Sequence, residues 1–317
     1  MKNTDYAYAV SNIRAKENSL LSKSFTESLI SARTYDDAVR LLTDKGFSYF
    51  EKPLSEALGI YMSEAWDCLS DAAPNKSELD FLIAENDFHN LKAIIKAMVA
   101  DKDGLSCTMS PSVIKPEDMQ NAVKTKDFSV LPDWISETAK EGYRIITSTG
   151  DGQLFDMFTD KSAYEAVIEL SKDNKFSYAL SQERAAQINI KTAFRLDDFT
   201  LNDALCDYAF IKCDALDEKE LKKTIGRGKE AVKSYLQTTP YSDLCDFDSI
   251  CALEVSCDGR IKAMLDSAGL ISFGIEPLIS FYFAKKTECA NLRLILTAKQ
   301  SKLDEKIIRE RLRDLYV

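Results

Sequence analysis

The sequence predicts a nearly all-α protein, and two observations lead to this fold class. The 317 residues include only 7 prolines and 11 glycines, and no proline lies between Pro132 and Pro240. Long proline-free blocks rich in Ala, Leu, Lys and Glu favour helices. The best strand-like run is "YRIITST" at 143–149, and it stands alone. Because one strand cannot form a sheet by itself, we expect packed helices.

Four helix starts can be read in chain order. Thr34 precedes "YDDAVRLL" and Ser77 precedes "ELDFL", and a hydroxyl side chain suits the N-cap position. Pro116 opens "PEDMQNAV" and Asp217 opens "DEKELKKTI". Stretches rich in Gly, Pro or Asp predict the connections between helices. These stretches are residues 51–59, 101–116, 148–152 and 256–260.

Composition narrows the classes of function. The formal net charge of -10 argues against nucleic-acid binding and against anchoring on anionic lipid, since both need basic surface. The eight cysteines form no CxxC pair, so we expect small buried thiols in a reducing cytoplasm. The N-terminus lacks the apolar region of a signal peptide. The most apolar stretch, residues 269–284, is interrupted by Glu276 and Pro277 and is too short to span a bilayer. A soluble protein is therefore expected.

A three-residue word of asparagine, aliphatic residue and basic residue recurs at Asn12, Asn90, Asn189 and Asn291. Chance would give about one such word or fewer, so the excess indicates a repeated helical unit. On a helical wheel, Asn90, Asn189 and Asn291 lie beside small and aliphatic residues. An unpaired buried amide costs about 1–3 kcal/mol. We therefore predict that these four amides are buried, bond a neighbouring helix or loop, and fix the register of helix packing.

The sequence contains no set of residues with the types and spacing of a known catalytic motif. The single histidine, His89, falls on the polar strip of its helix and outside any metal-ligand spacing. "TIGRGKEA" at 224–231 lacks the GxxxxGK[ST] spacing of a phosphate-binding loop, so a helix break is favoured. "STGDG" offers Asp151 but lacks the further acidic positions of a calcium loop. We predict no catalytic, cofactor-binding or metal-binding residue. An enzyme that uses carboxylates or Lys229 on a nucleotide is the alternative.

The C-terminal stretch from Lys285 to Arg313 is basic, with nine lysines and arginines against four acids. A solvated helical face with i, i+4 pairs such as Glu305–Arg309 would account for it. The alternative is a docking patch for an acidic partner, with Lys285, Lys286, Arg309 and Arg313 as the candidate contacts.

The chain is predicted to divide into four segments. Residues 1–70 form an N-terminal helical segment, residues 71–155 and 156–262 form two helical modules, and residues 263–317 form a C-terminal helical segment. Because the first and last segments both carry the asparagine word, we predict that they pack together as one module.

Several stretches together resemble the C-subunit family of bacterial and archaeal V-type (A/V-type) ATPases, which is related to the d subunit of the eukaryotic V-ATPase. These stretches are "YAYAVSNIRAKENSLL" near the start, "ENDFHNLKAIIKA" in the first third, and "EPLISFYFAKKTECANLRLILTAKQ" with "IIRERLRDLYV" at the end. The resemblance covers the whole length and is weakest at residues 105–180 and 225–260.

The resemblance implies an all-helical, funnel-shaped assembly of three related helical modules. It implies a cytoplasmic position peripheral to the membrane, in the central rotor. There the chain would couple the soluble shaft subunits to the membrane c ring for rotary proton or sodium ion transport. The family has no catalytic residue and no cofactor of its own, and ATP is handled elsewhere in the complex. The alternative is a free-standing helical-repeat scaffold, although a period near 100 residues is long for such arrays.

Overall fold

The computed structural model describes residues 3–196, 203–247 and 249–315. Within these residues the only regular secondary structure is helical and no strand is present, which confirms the predicted all-α class. The funnel of three modules implied by the resemblance stays a prediction. The α-helices are α1 (Ala7–Glu17), α2 (Lys23–Ser31), α3 (Tyr35–Asp44), α4 (Leu54–Ala72), α5 (Ala84–Val99), α6 (Pro116–Thr125), α7 (Asp133–Thr149), α8 (Gly152–Leu170), α9 (Lys175–Arg195), α10 (Asp203–Cys206), α11 (Glu218–Thr224), α12 (Lys229–Leu236), α13 (Ile250–Gly269), α14 (Glu276–Gln300) and α15 (Glu305–Arg311). Short 3₁₀ helices occupy Asn3–Tyr6, Ser48–Glu51, Lys76–Leu82, Leu105–Cys107, Phe128–Val130 and Ser242–Leu244.

Two compact units divide the chain. The first unit combines Met1–Lys76 with Lys262–Val317, and the second unit is Ser77–Ile261. In the first unit, α14 packs along α4 and α1, and its residues Leu292 and Ile295 share one hydrophobic core with Leu29 and Leu42. Segments from the two ends of the chain therefore build one core, because the apolar faces of α2, α3 and α4 close on α14.

Among its described residues, the second unit contains two larger hydrophobic cores. One core lies among α5, α6, α7 and α8 and includes Phe88, Ile135 and Phe155. The other lies among α9, α11, α12 and α13 and includes Phe194 and Leu253. The proposed cuts at 70/71, 155/156 and 262/263 stay predictions.

Most of the predicted helix starts are confirmed. The Thr34 hydroxyl accepts a hydrogen bond from the amide of Asp37, and the Asp217 carboxylate accepts one from Lys219, as N-cap residues do. Pro116 is the first residue of α6, where its missing N–H costs nothing. The prediction at Ser77 was wrong, because this residue lies inside a 3₁₀ turn and the α-helix begins at Ala84. Residues 79 and 81–83 are all buried, and one face of an α-helix cannot bury such a run.

The strand-like run 143–149 forms the C-terminal end of α7, whose buried Ile145 and Ile146 belong to the core among α5, α6, α7 and α8. Two of the predicted connections were wrong. The connection expected at 256–260 does not exist, because α13 continues through it to Gly269. Leu253 and Cys257 lie one helical turn apart and are fully buried, so packing of this face overrides the helix-breaking tendency of Gly259. The connection expected at 51–59 is shorter than predicted, since α4 already begins at Leu54.

Among the described helices, none combines the length and the apolarity that crossing a membrane would require. The described cysteines are free thiols; Cys245, Cys257 and Cys289 are buried, whereas Cys107 is exposed. The side chain of Cys251 lies outside the described residues.

Candidate functional site

The asparagine words form backbone clamps. Asn90 is fully buried in α5, where its Nδ2 donates to the carbonyl of Met109 at 3.0 Å. Its Oδ1 accepts the amide of the same residue at 2.6 Å. One side chain thereby satisfies both backbone groups of one residue in the following loop. We call this two-bond arrangement an asparagine clamp.

The same arrangement recurs in the other two well-spaced words. Asn189 in α9 is fully buried and pairs with Ile211 through bonds of 2.7 and 2.8 Å. Asn291 in α14 is 3% exposed and pairs with Arg313 through bonds of 2.9 and 3.0 Å. The clamped residue follows its asparagine by 19 residues in the first case and by 22 in the other two. Each clamp therefore ties a helix to a segment about 20 residues downstream.

Asn12 differs from the other three asparagines. It lies in α1 and is only half-buried. Among the described residues, Asn12 forms no asparagine clamp. Its role in helix packing stays a prediction.

Helix α5 holds its following loop with more than one side chain. Asn86 donates from Nδ2 to the carbonyl of Pro111 at 2.7 Å. The buried carboxylate of Asp87 accepts the amides of Val113 and Ile114 at 3.0 and 2.8 Å. Together with the Asn90 clamp, these bonds fix the course of residues 109–114. Asn86, Asp87 and Asn90 of "ENDFHN" thus bond the backbone of the loop.

His89 has a modest part in the same arrangement. The ring is half-buried rather than fully solvated, and its Nε2 lies 3.3 Å from the carbonyl oxygen of Cys107. This contact adds Cys107 to the loop residues that the polar side chains of α5 contact.

Burial raises the pKa of Asp87 to about 7, although the two backbone amides that it accepts favour the charged form. The folded chain therefore keeps a proton that the unfolded chain releases near pH 4. Stability should fall as the pH rises from about 4 to about 7, because the folded state binds more protons over this interval.

Substitution of Asp87 with asparagine tests this pH dependence. Between pH 4 and pH 7, the free energy of unfolding of the unchanged chain should fall by up to about 4 kcal/mol relative to that of the Asp87→Asn variant. Urea unfolding of both proteins, measured at several pH values, gives this difference. Stability curves that run parallel over the whole interval would contradict the prediction.

A buried ion pair lies at the centre of the first unit. Lys285 and Glu288 of α14 are 6% and 3% exposed, and the Lys285 Nζ lies 3.0 Å from the Glu288 Oε2. The Tyr61 hydroxyl of α4 donates to Glu288 and accepts from Lys285 at 3.0 Å. The amide of Leu21 donates to the other carboxylate oxygen. Burial, followed by the charge of Glu288, raises the pKa of the Tyr61 phenol far above its usual value, so the phenol stays a donor.

The predicted docking role of Lys285 was therefore wrong. Its ammonium group is enclosed between α4 and α14 and is neutralised within the chain. The reason is that α14 is covered on most of its faces, so a lysine and a glutamate three residues apart sit in the core rather than on a solvated strip.

The other candidate docking residues have different surroundings. Lys286 is half-buried, with its Nζ 5.8 Å from the ring centre of Phe283. Arg309 is exposed and pairs with Glu27 at 2.6 Å and with Glu305 at 3.7 Å. Arg313 is exposed, and its backbone is held by Asn291. Contact of Lys286, Arg309 and Arg313 with a partner stays a prediction.

The two motifs "TIGRGKEA" and "STGDG" have structural roles at helix ends. "TIGRGKEA" joins α11 to α12, and Gly226 and Gly228 adopt φ values of 68° and 89° at this break. Asp151 is the N-cap of α8, where its carboxylate accepts the amides of Gln153 and Leu154 at 2.9 Å each. The described residues include no cluster of three or more metal-ligating side chains.

A small open cavity of about 220 Å³ lies in the second unit. It is lined by Glu141, Arg144, Ile145, Ser148, Thr149, Leu154, Asp207 and Tyr208. The one basic group in this lining, the Arg144 guanidinium, is already bound by Glu141, with the Nε 2.7 Å from the Oε2. Its charge is thus balanced inside the cavity wall.

These features define an all-helical protein whose buried polar side chains serve helix packing. Comparison with known proteins gives the family. The sequence pattern of the ATP synthase (C/AC39) subunit family matches residues 9–311. The chain belongs to this family, whose members are non-catalytic components of V/A-type rotary ATPases.

Relatives match over nearly their full length. The C subunit of the V-type sodium ATPase of Enterococcus hirae is 23% identical, and the match covers 96% of this chain and 97% of the relative. The C subunit of the A-type ATP synthase of Methanococcoides burtonii is 23% identical, with 98% and 94% covered. The C subunit of the V-type ATP synthase of Thermus thermophilus is 20% identical, with 92% and 93% covered. The resemblance seen in the sequence is thus confirmed.

Proposed function

We propose that this chain couples the soluble rotor shaft of a V/A-type ATPase to its membrane c ring. The observation that carries the proposal is the match to the C/AC39 family from residue 9 to residue 311. The chain would sit at the cytoplasmic face of the membrane as a peripheral part of the complex. It would transmit rotation whether the ring carries protons or sodium ions.

The buried polar contacts support a mechanical role. A protein that transmits torque must resist sliding of its helices past one another. Hydrogen bonds are directional and therefore resist such sliding better than apolar contacts alone. The clamps of Asn90, Asn189 and Asn291 each fix one downstream segment against a helix. The Tyr61 hydroxyl of α4, bonded to both Glu288 and Lys285, fixes α4 against α14. These contacts favour stiffness within each unit.

An exposed apolar segment supports the presence of partners. Leu270, Ile271 and Phe273 lie in the link between α13 and α14 and are 84%, 39% and 50% exposed. The Arg14 side chain donates to the carbonyl of Ile271 at 3.3 Å, so this segment is tied to α1. Exposed contiguous apolar residues are typical of interaction surfaces.

Reconstitution from purified parts tests the proposal. The shaft subunits and the detergent-solubilised c ring should form a stable ternary assembly only when this chain is added, seen by size-exclusion chromatography and native mass spectrometry. An obligate interface of about 2,000 Å² or more should survive dilution. Equal association of shaft and ring without the chain would contradict the proposal. Failure of the chain to bind either part would favour a free-standing helical scaffold instead.

A further inference from the structure

A segment near the C-terminal end of the chain differs in charge from the rest of the molecule. Residues 302–313, here called the C-terminal arm, carry five basic and three acidic residues, a formal charge of +2 in a chain of -10. All five cations are exposed: Lys302, Lys306, Arg309, Arg311 and Arg313. The arm is thus a basic surface on an acidic protein.

The C-terminal arm is held in place rather than left as a tail. Ile308 is fully buried in the hydrophobic core of the first unit. The amide of Leu303 donates to the carbonyl of Ala298 at 2.9 Å, and the Asn291 clamp fixes the backbone of Arg313. Because these contacts lie before, within and after α15, the backbone that carries the exposed side chains is fixed before any partner arrives.

The two flanks of α15 are used differently. Arg309 lies on one flank and is occupied by Glu27 and Glu305. Ile307 and Arg311 lie one turn apart on the other flank. Within the described part of the chain, Lys302, Lys306 and Arg311 form no ion pair with a carboxylate. Leu303 and Ile307, which adjoin Lys302 and Lys306 in the sequence, are 48% and 38% exposed.

We propose that Lys302, Leu303, Lys306, Ile307 and Arg311 form a docking face for an acidic, partly apolar segment of another component of the rotary ATPase. This inference rests on the proposed function. Unpaired cations next to exposed aliphatic side chains complement a helix or loop that carries carboxylates and a few apolar residues. The preset arrangement lowers the entropic cost of docking.

An acidic protein segment fits this face better than an anionic membrane. The formal net charge of -10 opposes approach to an extended negative membrane surface, whereas a narrow acidic segment can pair with the cations of the arm at short range. This face has only two aliphatic residues, so it offers little apolar area for insertion between lipids.

Charge reversal tests the inference. The variant Lys302→Glu, Lys306→Glu, Arg311→Glu should bind the purified shaft subunits or the purified c ring about tenfold or more weakly than the unchanged chain. Its affinity should also depend less on salt, because fewer charge pairs form across the interface. Biolayer interferometry with immobilised shaft or ring, at two salt concentrations, measures both quantities. Circular dichroism verifies that the variant is folded.

A matched control carries the same change in net charge elsewhere. Lys115, Lys175 and Lys219 are exposed residues at helix N-termini, where glutamate is favourable, and their reversal should leave both affinities within about twofold. Equal loss in both triple variants, or no loss in the first, would overturn the inference while leaving the proposed function in place. Loss of binding only to anionic lipid vesicles would overturn it in favour of a membrane contact. If the unchanged chain binds neither shaft nor ring, the proposed function fails and this inference fails with it.

Discussion

Replacing Glu288 with alanine is expected to lower the free energy of unfolding of the first unit by about 3–5 kcal/mol. The change leaves the buried ammonium group of Lys285 without its counter-ion and removes the acceptor of Tyr61 and of the Leu21 amide. Urea unfolding followed by far-UV circular dichroism measures the loss. Hydrogen exchange in peptides around Leu21 localises it, since this amide should become unprotected.

Two further variants separate the charge effect from simple loss of contacts. The double variant Lys285→Met, Glu288→Leu should recover at least half of the loss, because no buried charge is left unpaired. The control Glu56→Ala breaks the exposed pair of Lys52 and Glu56, which are each about half exposed, and should cost about 0.5 kcal/mol or less. A loss for Glu288→Ala no larger than that for Glu56→Ala would show that the buried pair contributes little.

Replacing Asn189 with leucine is expected to cost about 2–5 kcal/mol of stability in the second unit. The substitution keeps a side chain of similar size but leaves the amide and the carbonyl of the buried Ile211 without partners. The equivalent change at Asn291 should cost less, because Arg313 is exposed and water can replace the lost bonds. Unfolding in urea ranks the variants.

The asparagine of the first word provides the matched control. Asn12→Leu should cost about 1 kcal/mol or less, since this side chain forms no clamp among the described residues. Asn189→Asp should be as damaging as leucine at neutral pH, where a carboxylate oxygen replaces Nδ2 and faces the Ile211 carbonyl, and milder at acid pH, where a protonated carboxyl can donate to that carbonyl. If Asn12→Leu and Asn189→Leu lowered the free energy of unfolding equally, the asparagine clamp would not explain why the three-residue word recurs.

The helix class and several helix starts follow from local chemistry. The Thr34 and Asp217 caps and Pro116 act through backbone groups within three residues, so the sequence alone reveals them. The same holds for the inward direction of Asn90 and Asn189, which depends only on helical periodicity. The partner of each asparagine could not be named, because it lies 19 to 22 residues away in a loop without a regular pattern.

Contacts over long separations could not be predicted. Lys285 and Glu288 have the spacing of a surface ion pair, and only the approach of Tyr61, 227 residues from Glu288, places them in a core. Asp87 likewise reads as a favourable acidic residue in the first turn of α5, while its burial depends on the loop that closes over it. The continuous helix through Gly259 also depends on tertiary packing.

The most direct test of the central claim, transmission of rotation, uses the assembled ATPase in sealed vesicles. Complexes prepared with and without this chain are compared for ATP hydrolysis and for ATP-driven ion uptake. We expect hydrolysis to continue without the chain while ion uptake is lost, and we expect added purified chain to restore uptake. Ion uptake that is equal in the two preparations would contradict the account.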